Sequence, residues 1–590
     1  MQRAIPRLEA WLESDSRRRP ALALLGLSGL CALAFLQQLG DLGLMDKTEG
    51  LFVEVPRQML LTGDWITPRW NGEPFFDYPV WGYWMVGLSY RLFGLSPWAA
   101  RLPAALAASA TVLALFAVLL WLAPAEEAQG RRVGRASLCA ALLALSPGWV
   151  GWGRSSVTDM FLSSAIALAL LGFYLAYARP PGSAERRLGQ VALPLFAGIA
   201  VLAKGPVGLL LPGLVILVFL AINGRLLQQL RLTPLLPMAA LFLGVTVPWY
   251  ALATQANGAE FLGGFLGFSN LERFTTVIYD HPGPPWFYLP WVLLLLLPWS
   301  LFLPVAVARL RPWRAAVWRA LPPGDDLALF ALVWLVVVVA FFSAAATKLP
   351  GYILPALPGG ALLVALLFAP LRAAGPPPPA PGGGVRLTGW VNAAVLALLA
   401  AVATQAPRLA GGDPAYPGFG EAVALSGLPL RMALILALAA AGLAVLLLRP
   451  QARRLDLLWI PDAAAFLAVL ALVVPGLAGL MDRERLLPIR ELARVAGRVS
   501  AEDEPLLVVG YKRYSVLPYS GRTARFVSSP EKARREVAGL PPSPTVLLFG
   551  SERELGRFGL APGEGEEIAS RRSLRLVRIP SARLASMEAP

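Results

Sequence analysis

Ala21-Leu-Ala-Leu-Leu-Gly-Leu-Ser-Gly-Leu-Cys-Ala-Leu-Ala-Phe-Leu36 runs through a short link into Leu44-Met-Asp-Lys-Thr-Glu-Gly-Leu-Phe-Val-Glu-Val-Pro-Arg-Gln-Met59. The segment 21–44 is long enough to cross a bilayer as one helix, which takes about 20 residues. The stretch after it is polar, acidic and aromatic, and continues to Asn71-Gly-Glu-Pro-Phe-Phe-Asp-Tyr-Pro79. Asp46, Glu49, Glu54, Asp64, Glu73 and Asp77 all fall inside it. An apolar run followed at once by a carboxylate-rich loop predicts a membrane-spanning bundle with a chemical site at its surface.

The rest of the 590 residues extends that pattern. The chain is 56% hydrophobic and 15% charged, well below the roughly one quarter charged residues of a soluble domain. Apolar runs of span length recur, continuous and not alternating, so helices satisfy the backbone in lipid. About thirteen spans are expected: 21–44, 99–123, 136–153, 158–178, 191–203, 206–222, 235–253, 288–308, 327–344, one after Tyr352, 390–406, 430–448 and 458–480. Residues 1–20 are basic and read as a cytoplasmic N-terminus. The net charge of +15 sits largely in short loops such as Arg131–Arg135 and Arg309–Arg319. That is the bias of cytoplasmic loops and no sign of a nucleic-acid partner. Loops 45–98 and 254–288 then fall outside. The Pro/Gly run Gly375–Gly384 is a linker. Cys31 and Cys139 lie in apolar runs and suggest neither disulfide nor metal.

Residues 482–590 are different. Leu506–Gly510, Ala524–Ser528, Thr545–Phe549 and Ser573–Ile579 read as strands, and Pro530–Gly539 and Glu552–Gly556 as helix or turn. They predict a small α/β domain, placed outside by an odd number of spans. The fold class is a polytopic α-helical membrane protein with a C-terminal α/β extracytoplasmic domain.

Candidate site residues follow from position. Asp46, Glu49 and Asp77 could serve as base, ligand or substrate clamp, or simply face water; Glu54, Asp64 and Glu73 fit the solvated role better. Asp159 starts a span beside Thr158, where an N-cap is the plain alternative. Lys204, in Ala203-Lys-Gly-Pro206, and Lys348, with Tyr352, sit between spans. With Arg273 they are cations on the side that normally lacks them, which points to an anionic substrate such as a phosphate. His281, the sole histidine, lies in the second outer loop, where it is either structural or a metal or phosphate ligand.

The pattern Asp46-x-x-Glu-Gly, Arg57-Gln-Met, Gly63-Asp-Trp-Ile-Thr-Pro68, Asn71-Gly72 and Phe76-Asp-Tyr-Pro79 resembles the first outer loop of bacterial GT-C glycosyltransferases. These include the aminoarabinose transferases that modify lipid A and relatives of the protein O-mannosyltransferases. Arg154–Asp159, Ala203–Pro206, Arg273-Phe-Thr275 with His281 and Trp286, and Lys348-Leu-Pro with Tyr352 extend the resemblance over residues 20–370. It implies a polyprenyl-phosphate sugar donor and a lipid, glycan or protein acceptor at the bacterial inner membrane. By the same resemblance Asp46, Glu49 and Asp159 are catalytic, and Lys204, Arg273, Lys348 and Tyr352 bind substrate phosphate. Asp77 and His281 can contribute to a divalent-metal site; no other cofactor is implied. The sequence departs from the family where Tyr78 replaces a lysine and Thr48–Phe52 replaces an Asp-Glu-x-Arg-Tyr opening. A transporter or flippase is the alternative class; the clustering of polar residues in outer loops, with no internal repeat, speaks against it.

Overall fold

The computed structural model describes residues 18–124, 126–261, 263–265, 282–369, 382–412, 418–448 and 452–587. Among them, ten helices are long and apolar enough to span a membrane, and thirteen spans result if three bent pairs each count as one. The bends fall in Gln129–Gly153, Val207–Leu232 and Tyr288–Leu310. The first break is set by Pro147, which opens a new helix because proline has no N–H to continue the old one. Parity favours thirteen. The acidic loop and the C-terminal domain touch each other, so an even number of crossings must separate them. Twelve follow the first span in that count; the count of ten leaves nine.

The centre of the bundle is Thr158–Ala178, apolar all round and nearly wholly buried, as a helix without a polar face must be. It packs antiparallel on Ala184–Lys204. Small residues set that approach: a Cβ on Gly189 would lie 2.4 Å from the Gly172 carbonyl oxygen, so the backbones touch. Antiparallel packing places the first turn of one helix, with Asp159, beside the last turn of the next, with Lys204. At the opposite end Asp326 is fully buried and accepts from Tyr174 (2.8 Å), Tyr177 (2.6 Å) and Asn223 (2.9 Å). The Arg131–Arg135 segment begins its span at that same end.

The loop at 45–98 is more ordered than its composition suggests. Glu49–Thr62 is a helix closed by Gly63 at φ 71°, a left-handed stop suited to glycine. Arg69–Trp70 (β1) and Glu73–Pro74 (β2) form a hairpin around Asn71-Gly72, both at positive φ, the geometry Asn-Gly favours. Trp81–Phe93 is an aromatic-rich helix; its Gly82 faces Phe161 and its Gly87 faces Trp65.

The C-terminal sheet comprises β3 (Leu506–Val509), β4 (Arg525–Val527), β5 (Thr545–Ser551), β6 (Glu566–Arg571) and β7 (Leu574–Pro580), in order β4-β3-β5-β7-β6. β3 pairs parallel with β4 and β5; β7 pairs antiparallel with β5 and β6. Both faces are covered: Leu506, Val508, Leu547 and Phe549 bury one, Leu507, Val509, Val546 and Leu548 the other.

Candidate active site

Three parts of the chain converge where the acidic loop meets the ends of the buried helices. The first is the Glu49 carboxylate, fully buried. Its Oε1 accepts from Arg101 Nε (2.7 Å) and the Ser156 N–H (2.9 Å), its Oε2 from Arg101 Nη2 (2.5 Å) and the Met45 N–H (3.1 Å). Burial alone would raise its pKa; the guanidinium and the hydrogen bonds outweigh that and hold it below the usual value. Arg101 uses its remaining donors on the carbonyls of Leu39, Leu42 and Gly43. With every oxygen engaged, Glu49 has no lone pair facing a substrate. Through these bonds Glu49 ties together the segment before Asp46 and the segment before Asp159.

Asp46 is half-buried and its Oδ1 accepts the Ser515 N–H at 3.0 Å. Burial raises its pKa, opposed by Ser515 and by the charge of Arg513.

The second part is Lys204. Its ammonium pairs with the Asp159 carboxylate, lies 4.6 Å from the Tyr352 ring centre and 5.7 Å from that of Tyr78. A lysine between a carboxylate and two ring faces is held by charge and by cation–π attraction. Gly351 allows this closeness: a Cβ there would be 2.8 Å from Trp152 Nε1 and 3.2 Å from Asp159 Cγ. Asp159 and Lys204 each keep some exposure, 20% and 11% of the side chain, so the pair stands at a mouth and not in the core.

The third part is Lys348, whose Nζ donates to the carbonyls of Ser343 (2.8 Å) and Ala345 (2.7 Å). Burial lowers its pKa. Among the described residues these are its two acceptors, and an ammonium carries a third N–H. Gly283 sits on its stem, with a Cβ position 2.7 Å from Lys348 Cδ.

Asp77 lies near Tyr83 and Tyr514; the Tyr514 phenol is raised by its burial and then by the Asp77 charge. Arg273 and His281 lie outside the described residues. Among those that are described, no three His, Cys, Asp or Glu side chains gather as a metal site would require. Glu54 is buried in a bidentate pair with Arg57, both bonds 2.7 Å. Asp64 caps the turn at Ile66 and Thr67, and Glu73 is exposed.

Sequence reasoning missed Arg101. It lies one turn into an apolar span, and an arginine at that depth is itself the signal, because it must have a buried partner. It also missed how the C-terminal domain closes the loop. Asp482 accepts the Gly43 N–H (2.7 Å), Tyr519 the Leu44 N–H (2.8 Å), and Asn71 exchanges two bonds with Ala524 (2.8 and 3.0 Å). Trp70 packs on Tyr514 and Phe526.

This bundle, with its ordered first loop and strand-bearing cap, defines a polytopic helical membrane protein with a C-terminal α/β domain. The crystal structure of ArnT from Cupriavidus metallidurans bound to undecaprenyl phosphate superposes with TM-score 0.71 at 23% identity, over 98% of this chain and 100% of that one. The archaeal oligosaccharyltransferase AglB from Archaeoglobus fulgidus has the same fold more distantly, TM-score 0.50 at 10% identity. In sequence, residues 77–251 match the dolichyl-phosphate-mannose-protein mannosyltransferase family. The chain is similar to the undecaprenyl phosphate-alpha-4-amino-4-deoxy-L-arabinose arabinosyl transferases of Pseudomonas aeruginosa strain UCBPP-PA14 and Aeromonas salmonicida strain A449. It is 34% identical to the first over 56% of this chain and 57% of that one, and 32% identical to the second over 62% and 64%. The matched part thus spans less than two thirds of these relatives' length.

Proposed function

We propose that the protein transfers a sugar from a polyprenyl-phosphate donor to a lipid of the lipid A kind, a glycan or a protein. The observation that carries this reading is Lys204: a cation at the mouth of the bundle, held by Asp159 and flanked by Tyr78 and Tyr352. An anionic group entering there replaces a carboxylate partner with a phosphate, and the two rings and the nearby Lys348 complete a site for one phosphate head. The likeness to aminoarabinose transferases in sequence, and to a structure holding undecaprenyl phosphate in fold, supports the same donor class.

The chemistry follows from the charges. The acceptor oxygen attacks the anomeric carbon while the bond to the donor phosphate breaks. Lys204, with Lys348 and Arg273 as further cations, stabilises the negative charge that grows on the leaving phosphate. Engaging the phosphate frees Asp159 from its ion pair. Asp159 or Asp46 then takes the acceptor proton, while Glu49 and Arg101 keep both segments in place. A divalent ion would bind through Asp77 and His281 in this reading. The described residues supply only the first of these, and no step is routed through a metal.

The end of the bundle that bears the site is opposite the basic segments Arg131–Arg135 and Arg309–Arg319. The positive-inside bias therefore puts the site and the sheet domain on the outer face of the bacterial inner membrane, with the N-terminus cytoplasmic. The test is transfer from a labelled polyprenyl-phosphate sugar by purified protein in lipid, with Lys204→Ala and Asp159→Asn alongside. Transfer by the parent, weakened donor binding in Lys204→Ala and loss of turnover in Asp159→Asn are expected. Absence of any donor turnover across a panel of sugars and acceptors, with protein that melts cooperatively, would move the reading to a transporter.

A further inference from the structure

The segment Tyr511–Ser515 leaves the carboxyl end of β3, the strand flanked by β4 on one side and β5 on the other. The chain turns one way to reach β4 and the other way to reach β5, so this is a topological switch point, where open α/β sheets form a crevice. Here the crevice receives the acidic loop. Asp46 Oδ1 accepts the Ser515 N–H at 3.0 Å, across 469 residues of sequence, and Ser515 is itself buried. A Cβ on Gly50 would lie 2.5 Å from Ser515 N and 2.8 Å from Tyr514 C, so loop and segment meet backbone to backbone. Lys47 Nζ is 4.5 Å from the Tyr511 ring centre.

The segment is itself braced. Arg513 pairs with Glu554 (2.8 Å), whose Oε1 accepts the Tyr511 N–H (2.9 Å) and whose Oε2 accepts the Ser551 N–H (2.7 Å) in a capping box. Gly510, at φ 76°, leaves room for Glu554: a Cβ there would be 2.8 Å from its Cγ. Among the described residues, the charged groups on the elements that meet here include Lys47 and Glu49 on the segment of Asp46, Arg101 from the span beneath, and Arg513 with Glu554 from the sheet domain. Lys47 leans on Tyr511, Arg101 is spent on Glu49 and Arg513 on Glu554, so the direct hold on Asp46 is the Ser515 N–H, and Arg513 with Glu554 braces the segment that carries it.

We propose that the sheet domain completes the active site by positioning Asp46: the Ser515 N–H holds the carboxylate, and the Arg513–Glu554 pair braces the segment from which Ser515 reaches it. Arg513 and Ser515 are positioning residues that touch no substrate. The proposal rests on the transferase reading for its consequence in turnover, and on geometry alone for its placement of Asp46.

The test measures pH–rate profiles of the full chain in lipid for the parent, Arg513→Gln, Arg513→Lys, Asp46→Asn and the double variant Asp46→Asn/Arg513→Gln. In parallel, carbodiimide labelling of Asp46 is followed against pH by mass spectrometry. Loss of Arg513 moves the acid limb of kcat to higher pH by about one unit, a factor of about ten on that limb, with donor KM unchanged. Arg513→Lys restores the limb, and Arg513→Gln adds nothing in the Asp46→Asn background. The labelling curve of Asp46 moves by the same amount in Arg513→Gln. An unmoved limb and an unmoved labelling curve, in variants that melt like the parent, would overturn the proposal. So would an equal loss from Arg513→Gln in the Asp46→Asn background. If the parent turns over no donor, the transferase reading fails by itself, and the labelling curve still decides whether the segment braced by Arg513 positions Asp46.

Discussion

Replacing Arg101 by methionine removes one side chain and unties three segments. The guanidinium is 2% exposed and its partner Glu49 fully buried. It holds both carboxylate oxygens and the carbonyls of Leu39, Leu42 and Gly43. In Arg101→Met the carboxylate keeps only the N–H groups of Met45 and Ser156, and three carbonyls lose their donor. Breaking a buried pair on one side costs about 3–5 kcal/mol, against about 0.2–1 kcal/mol for an exposed one. At about 2 °C per kcal/mol for a large domain, the melting temperature should drop by roughly 6–10 °C. Tryptophan fluorescence in detergent reads this at one fixed scan rate, since unfolding of a protein this size need not be reversible. The double variant Glu49→Leu/Arg101→Met removes the stranded charge and should recover part of the loss. A shift within about 2 °C for Arg101→Met, the range of an exposed pair, would refute the argument. So would a double variant no more stable than the single one.

Acid should unpick the same pair: because the folded Glu49 titrates below its usual value of 4.5, its contribution is complete above that pH and is lost as pH falls through the depressed value. The parent melt should therefore steepen its decline below about pH 4.5, and that acid-side loss should be smaller in Arg101→Met. Gly50→Ala places a methyl group 2.5 Å from Ser515 N; the loop and sheet domain must part, which limited proteolysis reads as new cleavage near residues 45–50. Asn71→Ala loses two bonds to Ala524 and a residue suited to φ 53°, a destabilisation of about 1–3 kcal/mol measured by thermal melting; full stability would refute the clamp. Lys204→Met leaves Asp159 without its cation and should weaken donor binding at least tenfold by equilibrium titration, with Lys204→Arg retaining part of it.

Most of the bundle was legible because bilayer length and the bias of basic loops are properties of the chain taken in order. Where proline restarts a helix, as at Pro147, one run became two pieces. The acidic stretch reads as loop in the sequence although it holds a helix, since Glu49 and Glu54 sit on the buried face of that helix and spoil its apolar periodicity. Their partners explain that: Arg57 is three residues from Glu54, but Arg101 is 52 from Glu49. In the sheet domain the four apolar strands were found and β6 was not. Glu566-Glu-Ile-Ala-Ser-Arg571 is an edge strand, and charge on an edge is what keeps it from pairing with other chains, so the property that suits it to its place hides it from a hydrophobic pattern. Asp159 and Lys204 were each singled out; their pairing required knowing that consecutive spans run antiparallel, so that the start of one helix lies beside the end of the next.

The same contrast explains why the site is fastened by charges. A site of the proposed kind must stay partly open to a phosphate and a polar acceptor; Asp159 and Lys204 do keep some exposure, and apolar packing cannot close around such a site. Its precision has to come from groups one layer back. Glu49 with Arg101 fixes the approach to both Asp46 and Asp159 from the membrane side, and Ser515 with Arg513 and Glu554 fixes Asp46 from the sheet side. Buried ion pairs add little net stability over apolar replacements, but each has a fixed geometry with directed bonds. A carboxylate placed between two such fasteners keeps its position while one face remains clear. The sheet domain, far away in sequence, thus supports the acidic loop and is not an independent appendage.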